Sequence, residues 1–278
     1  MAENLRIGTC SWNYRCWVGL VYSKEYRTAV EYLKEYSKNY NTVEVDSSFY
    51  RIPSSEEISE YNETVGPDFR FTFKVPQSLT LTHLRNKAPD GSLQTNETFL
   101  SSELYRIFIQ RLSPIAPKIT AALLQFEYLR REKMSSLDKF LRVLEGFLSE
   151  IPRTVPIAIE PRNGNYLCND YFAFIKENGL IHVFSEKQYM PSITTLYQKY
   201  GFLITSESVI RLLGGDRSEI EEKTGEQWDK IVEKRDKKAI VEMIREMLKR
   251  GIKVTVNVNN HYEGCAPLSI KSLLEEIG

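Results

Sequence analysis

A chain of 278 residues is long enough for one barrel of alternating strands and helices, which needs roughly 250. Hydrophobic residues make up 42% and charged residues 27%, ordinary for a globular domain. Lys plus Arg and Asp plus Glu both total 37, and zero net charge disfavours a protein that coats nucleic acid or anionic membrane by bulk attraction. A local basic cleft stays open. The cysteines, Cys10, Cys16, Cys168 and Cys265, match no zinc or redox spacing, which suits a reducing compartment. The opening MAENLRIGTC has no apolar signal core, and no apolar run approaches the ~20 residues that span a bilayer. A cytoplasmic protein with no membrane partner is expected.

In chain order, short β-type runs fall at 5–8, 42–45, 69–74, 119–126, 154–160, 180–184, 208–213 and 253–258. Helical stripes lie between most of them. Tyr26, Ala29, Leu33 and Tyr36 make one. Leu137, Phe140, Leu141, Leu144, Phe147 and Leu148 make the clearest, at i, i+3, i+4, i+7. Trp228, Ile231, Ile240, Ile244 and Leu248 make a third, and Ile270, Leu273, Leu274 and Ile277 close the chain. The stretch 184–207 is blurred. No repeat, low-complexity tract or linker divides the chain. The pattern predicts an α/β fold, a (β/α)8 TIM-like barrel forming a single domain over residues 1–278.

Strands of an all-parallel sheet usually read as continuous apolar runs. Several here alternate instead. Phe69, Phe71, Phe73 and Val75 oppose Arg70, Thr72 and Lys74; Ile157 and Ile159 oppose Ala158, Glu160 and Arg162; Val254, Val256 and Val258 oppose Thr255, Asn257 and Asn259. Leu5 and Ile7 oppose Arg6, Gly8, Cys10 and Trp12, and Val43 and Val45 oppose Glu44 and Asp46. In a barrel the apolar face packs under the helices and the other lines the lumen. The lumen is therefore expected to be polar, with Glu44, Asp46, Lys74, Glu160, Arg162 and Arg211 at the C-terminal strand ends, where barrel enzymes build active sites.

The same residues carry a resemblance. GTCSWNYRCW at 8–17, VEVDSSFYRIP at 43–53, FRFTFKVP with LTH at 81–83, LLQF at 123–126, EPRN at 160–163 and NVNNHYEGCAP at 257–267 resemble, in order, the motifs of the YecE-like family. That family is a domain of unknown function, number seventy-two, and the resemblance covers nearly the whole chain. It implies a TIM barrel and a site, but no reaction. In one place the chain departs. The family often has Arg-x-His-Gly where this chain has RLLGG at 211–215, so Leu213 stands for the histidine.

Each candidate has a structural reading beside its functional one. Glu44 with Lys74, and Glu160 with Arg162, could be buried ion pairs that only fix register. Trp12, Phe49 and Tyr50 are read as site walls or loop packing. His83 lies in a polar stretch, 79–102, of a length seen in functional lids and in disordered loops. His261 follows Asn259 and Asn260 at a strand end, where a turn is the simpler reading. Gly214-Gly215-Asp216 could cradle a phosphate or simply turn. Glu44, Lys74, Glu160 and His83 are the catalytic candidates. Trp12, Asp46, Tyr50, Arg51, Gln125, Arg162, Arg211, Asn257, Asn259 and Asn260 are the ligand-binding ones.

Only His83, His182 and His261 exist, too few for a multi-zinc phosphoesterase, so no metal ligand set is assigned. Cofactors stay unknown; magnesium on Glu44, Asp46 or Glu160 is compatible. The expected function is an enzyme (a hydrolase, lyase or isomerase) acting on a small phosphorylated or polyhydroxy anion clamped by Lys74, Arg162 and Arg211. Paired carboxylates would also permit glycoside hydrolysis at a separation of roughly 5–9.5 Å. A nucleic-acid-processing protein with Trp12, Trp17 and Tyr50 stacking bases, and a non-catalytic binding module, are the alternatives.

Overall fold

The computed structural model of the chain describes residues 4–86, 88 and 91–278. Its strands are β1 (Leu5–Cys10), β2 (Thr42–Val45), β3 (Arg70–Lys74), β4 (Ile119–Gln125), β5 (Ile157–Glu160), β6 (Ile181–Lys187), β7 (Glu207–Gly214) and β8 (Lys253–Val258). They close into a parallel barrel in sequence order, β8 pairing with β1 from Leu5↔Val254 to Thr9↔Val258. The expected (β/α)8 architecture is the one observed. Each expected run holds a strand, though β6 runs on to Lys187 rather than stopping at 184.

The helices are α1 (Ala29–Asn39), α2 (Ser55–Thr64), α3 (Ser102–Leu112), α4 (Leu137–Glu150), α5 (Asn169–Glu177), α6 (Ile193–Tyr200), α7 (Arg217–Thr224), α8 (Lys238–Lys249) and α9 (Ala266–Ile277). Thr28 and Ser54 start α1 and α2 with capping boxes, closed by Glu31 and Glu57 three residues on. α4 buries Phe140, Leu144, Phe147 and Leu148, as its stripe predicts. α6 fills the blurred stretch. The stripe drawn from Trp228 is too long, because α8 begins only at Lys238. The preceding segment is tied elsewhere. Trp17 donates its indole N–H to the Trp228 carbonyl at 3.0 Å, and the Val232 amide donates to the Glu263 carbonyl at 2.8 Å.

The main core lies between the strands and the helices. Phe71 and Phe73 sit in it on β3, and Val254, Val256 and Val258 on β8. The lumen differs from expectation on one side. Ala121, Leu123, Ala158, Ile181, Val183 and Val209, from β4 to β7, form a separate apolar cluster inside the barrel. One step further along each of these strands the inward residue turns polar: Gln125, Glu160, Ser185 and Arg211. The polar site thus rests on an apolar floor.

The polar stretch 79–102 is held by its own contacts. Asn96 donates its amide to the Ser78 and Leu81 carbonyls at 2.7 and 2.6 Å, and His83 and Thr95 form a β-bridge. Residues 87, 89 and 90 of that stretch lie outside the described residues.

Candidate functional site

Arg211 occupies the centre of the barrel top. Its Nε donates to Glu44 Oε2 at 2.8 Å and its Nη2 to Glu44 Oε1 at 2.6 Å, a bidentate pair. Its Nη1 donates to Glu160 Oε2 at 2.7 Å and to Gln125 Oε1 at 3.0 Å. Glu160 Oε1 accepts from Ser185 Oγ at 2.6 Å and pairs with Arg162 Nη2 at 2.8 Å. Asn257 donates to Glu44 Oε2 at 3.4 Å. Both carboxylates are fully buried.

Pairing offsets the cost of burying these charges unequally. Burial pushes Glu160 up, but Arg162 and Arg211 outweigh it and hold its pKa at about 2. Burial likewise works against the Arg211 charge, and Glu160 and Glu44 overcome it, raising its pKa well above the ordinary value. For Glu44 burial wins over Arg211, with nearby Asp46 adding to it, so its pKa is raised. Asp46 goes the other way: burial is outweighed by Lys74 and Arg211, and its pKa is lowered.

Above this network lies a cavity of about 330 Å³, lined by Tyr14, Asp46, Phe49, Tyr50, Lys74, Gln125, Arg162, Lys187, Arg211, Leu213, Gly215, Arg217, Asn259 and His261. That volume is in the range of small-molecule pockets. Lys74 Nζ lies 3.1 Å from Asp46 Oδ1 and 4.3 Å from the centre of the Phe49 ring. Arg162 keeps Nη1 buried with no hydrogen-bond partner. His261 is held on both sides, Nδ1 at 2.6 Å from Asn259 Oδ1 and Nε2 at 3.0 Å from Glu221 Oε1. Partial burial keeps its pKa below the ordinary histidine value, although Glu221 draws it up.

Several expected residues converge here and several do not. Asp46, Tyr50, Lys74, Gln125, Arg162, Arg211 and Asn259 line the cavity; Glu44, Glu160 and Asn257 lie buried beneath it. The partner of Glu44 is Arg211, not Lys74, because Lys74 turns to Asp46. Arg211 is already engaged by both carboxylates, so it is not the free clamp residue expected.

Trp12 is not a pocket wall. Ser11 takes φ 66, which breaks the strand alternation, and the indole packs edge-on against Tyr61 and donates to the Ala29 carbonyl. Arg51 forms a bidentate pair with Glu57 of α2. Asn260 Oδ1 accepts from the Ala266 amide at the start of α9. His83 contacts Thr82, which in turn donates to Glu127, away from the cavity lining. Asp216 caps α7 through the Ser218 amide at 2.8 Å, while Gly215 lines the cavity. Leu213 also lines it, so a histidine at that position would project into the mouth.

Lys187, Arg217 and His261 join the site. Lys187 was legible as the next inward residue after Val183 and Ser185, had β6 been continued. Among the described residues no three His, Cys, Asp or Glu side chains are placed to share a metal ion.

A model of the family described as "Protein of unknown function DUF72" matches residues 6–278. The chain belongs to the DUF72 family. The UPF0759 protein YecE of Escherichia coli K12 is 29% identical over 160 residues, which is 58% of this chain and 49% of that protein. The match thus spans about half the length of that relative. Solved DUF72 proteins from Enterococcus faecalis and Thermotoga maritima share the fold. The first has a TM-score of 0.69 at 20% identity, covering 98% of this chain and 95% of that one. The second has a TM-score of 0.67 at 22% identity, covering 98% and 99%. Among the described residues no helix is long and apolar enough to cross a membrane.

Proposed function

We propose that this DUF72 protein is an enzyme acting on a small phosphorylated substrate at the barrel mouth. The supporting observation is the positive charge of the cavity wall, where Lys74, Arg162 and Lys187 stand against Asp46 and Arg217 pairs with Glu221 at 2.7 Å. Arg162 lines the cavity with Nη2 held by Glu160 and Nη1 without a hydrogen-bond partner, a charged donor for one phosphate oxygen. Partial burial and the Arg162 charge lower the Lys187 pKa, an unfavourable crowding that a bound dianion would relieve. The charge network beneath the wall gives Glu160 a positioning role: it orients Arg162. Glu44 does the same for Arg211. Asp46 and Lys74 line the cavity and are assigned the proton transfer. Gln125 and Asn259 would meet hydroxyl groups of the same substrate.

Calorimetry with inorganic phosphate and small phosphate esters tests the site. Arg162→Met and Lys187→Met are each expected to weaken binding about tenfold, with Arg6→Met at the other end of β1 unchanged. Equal binding by wild type and both mouth variants would overturn the site. Turnover is tested separately, in phosphatase, lyase and isomerase assays on the esters that bind. Asp46→Asn should lower kcat about a hundredfold or more with little change in KM. Esters that bind at the mouth but are never converted would make the protein a binding module instead.

A further inference from the structure

A second groove opens beside the mouth. It has a volume of about 490 Å³ and shares Gln125, Arg162 and Lys187 with the cationic cavity. Beyond those shared residues it is lined by Tyr128, Gln188, Tyr189 and Met190, among others. Tyr128 is 60% exposed and Tyr189 is 92% exposed, an unusual amount of uncovered aromatic surface at one rim. Tyr189 also has φ 66, a left-handed conformation uncommon for a bulky residue. Its turn is tied at both ends: the Gln188 amide donates to the Gly214 carbonyl at 3.1 Å and the Met190 amide to the Lys187 carbonyl at 3.1 Å. The ring is thus held out beside Lys187 by a hydrogen-bonded turn.

We infer that the substrate is a nucleoside phosphate. This rests on the phosphate reading of the mouth and adds to it. The phosphate lies against Arg162 and Lys187, and the base extends into the adjoining groove against Tyr128 and Tyr189. Aromatic faces stack on any base, so they supply affinity, and the Gln188 amide can address its polar edge. A sugar phosphate would fill only the cationic cavity and leave the tyrosines bare. A polynucleotide would need a charged track beyond the cavity, and the net charge of zero does not favour one.

The experiment compares adenosine 5′-monophosphate, ribose 5-phosphate and inorganic phosphate by calorimetry. Wild type, Tyr128→Ala, Tyr189→Ala and the double variant are used; both side chains are exposed, so folding is preserved. The nucleotide is expected to bind about tenfold more tightly than ribose 5-phosphate. The double variant should lose that advantage and keep its affinity for ribose 5-phosphate. Equal binding of the two esters, or nucleotide binding unchanged in the double variant, overturns the inference and leaves the phosphate site standing. Failure of all three ligands to bind removes the phosphate reading itself. A single-stranded oligonucleotide binding far more tightly than the mononucleotide, with a steep loss in salt, would assign the groove to a polymer and also overturn it.

Discussion

At the scale of single residues, Arg211 is the most consequential side chain in the barrel. It is ion-paired with two fully buried carboxylates at once. Arg211→Met should leave Glu44 and Glu160 facing each other without their shared cation and cost on the order of 3–5 kcal/mol. A urea midpoint close to wild type would contradict that. Among the buried and partly buried groups, His182 and Glu160 weaken the fold on acidification, as does Asp46, whose pKa is lowered, while Glu44, whose pKa is raised, acts against them. Burial holds the His182 pKa at about 3, and the opposing attraction of Glu160 is weaker. The unfolded chain takes up that proton near pH 6.5, so the stability His182 contributes is complete above that pH. It is lost as pH falls from about 6.5 toward 3. Glu160, depressed to about 2, adds a loss in the same direction below about pH 4.5. Denaturation midpoints measured against pH should therefore begin to fall before the carboxylates titrate. His182→Phe, placed among Phe172, Phe184 and Tyr171, should delay that fall to the carboxylate range. An unchanged profile in the variant would show that His182 is not the cause.

At the scale of elements, the mouth depends on how closely the ends of β7 and β8 approach. Gly214 has φ +83, and a Cβ there would lie 2.2 Å from the His261 carbonyl oxygen. Gly225, at the end of α7, has φ +58 and open space around it. Gly225→Ala should cost only about 1 kcal/mol, the price of a left-handed alanine. Gly214→Ala meets both the strain and the backbone of the next loop, so it should cost on the order of 3 kcal/mol or more. It should also weaken phosphate binding, because the displaced loop carries Asn259 and His261. Thermal denaturation and calorimetry on the two variants check this, and similar losses in both would mean that the loop contact yields easily.

At the scale of the whole molecule, closure of the ring makes the strands interdependent. Removing any strand from a closed parallel barrel exposes two unpaired edges. Tryptophan fluorescence reports on the packing of Trp12 against α1 and α2 and on the contact of the segments after β1 and α7, where the Trp17 indole reaches the Trp228 carbonyl. Far-ultraviolet circular dichroism reports on all the helices and strands. The two signals are expected to change together in urea, as one cooperative unit. Separate midpoints would mean that the tryptophan contacts open ahead of the rest.

The sequence alone determined which runs form strands, which face of the alternating ones packs under the helices, and that the acids and bases gather at one end of the barrel. Those features are local: period-two alternation within β3 or β8 needs only that strand. The six ordered motifs placed the chain in its family for the same reason, since each is contiguous. What only the tertiary structure decided is who meets whom across the lumen. Glu44 and Arg211 stand 167 positions apart, and no local pattern distinguishes Arg211 from Lys74 as the partner of Glu44. Trp12 has the parity of a lumen residue and lost it to a single left-handed turn at Ser11. The apolar wall from β4 to β7 was hidden because Ala121 and Leu123 lie in a continuous apolar run and Ile181 and Val183 in one broken only by His182, where periodicity carries little information about facing. Pairing register and ring closure are properties of all the strands at once, and they assign each side chain its neighbours.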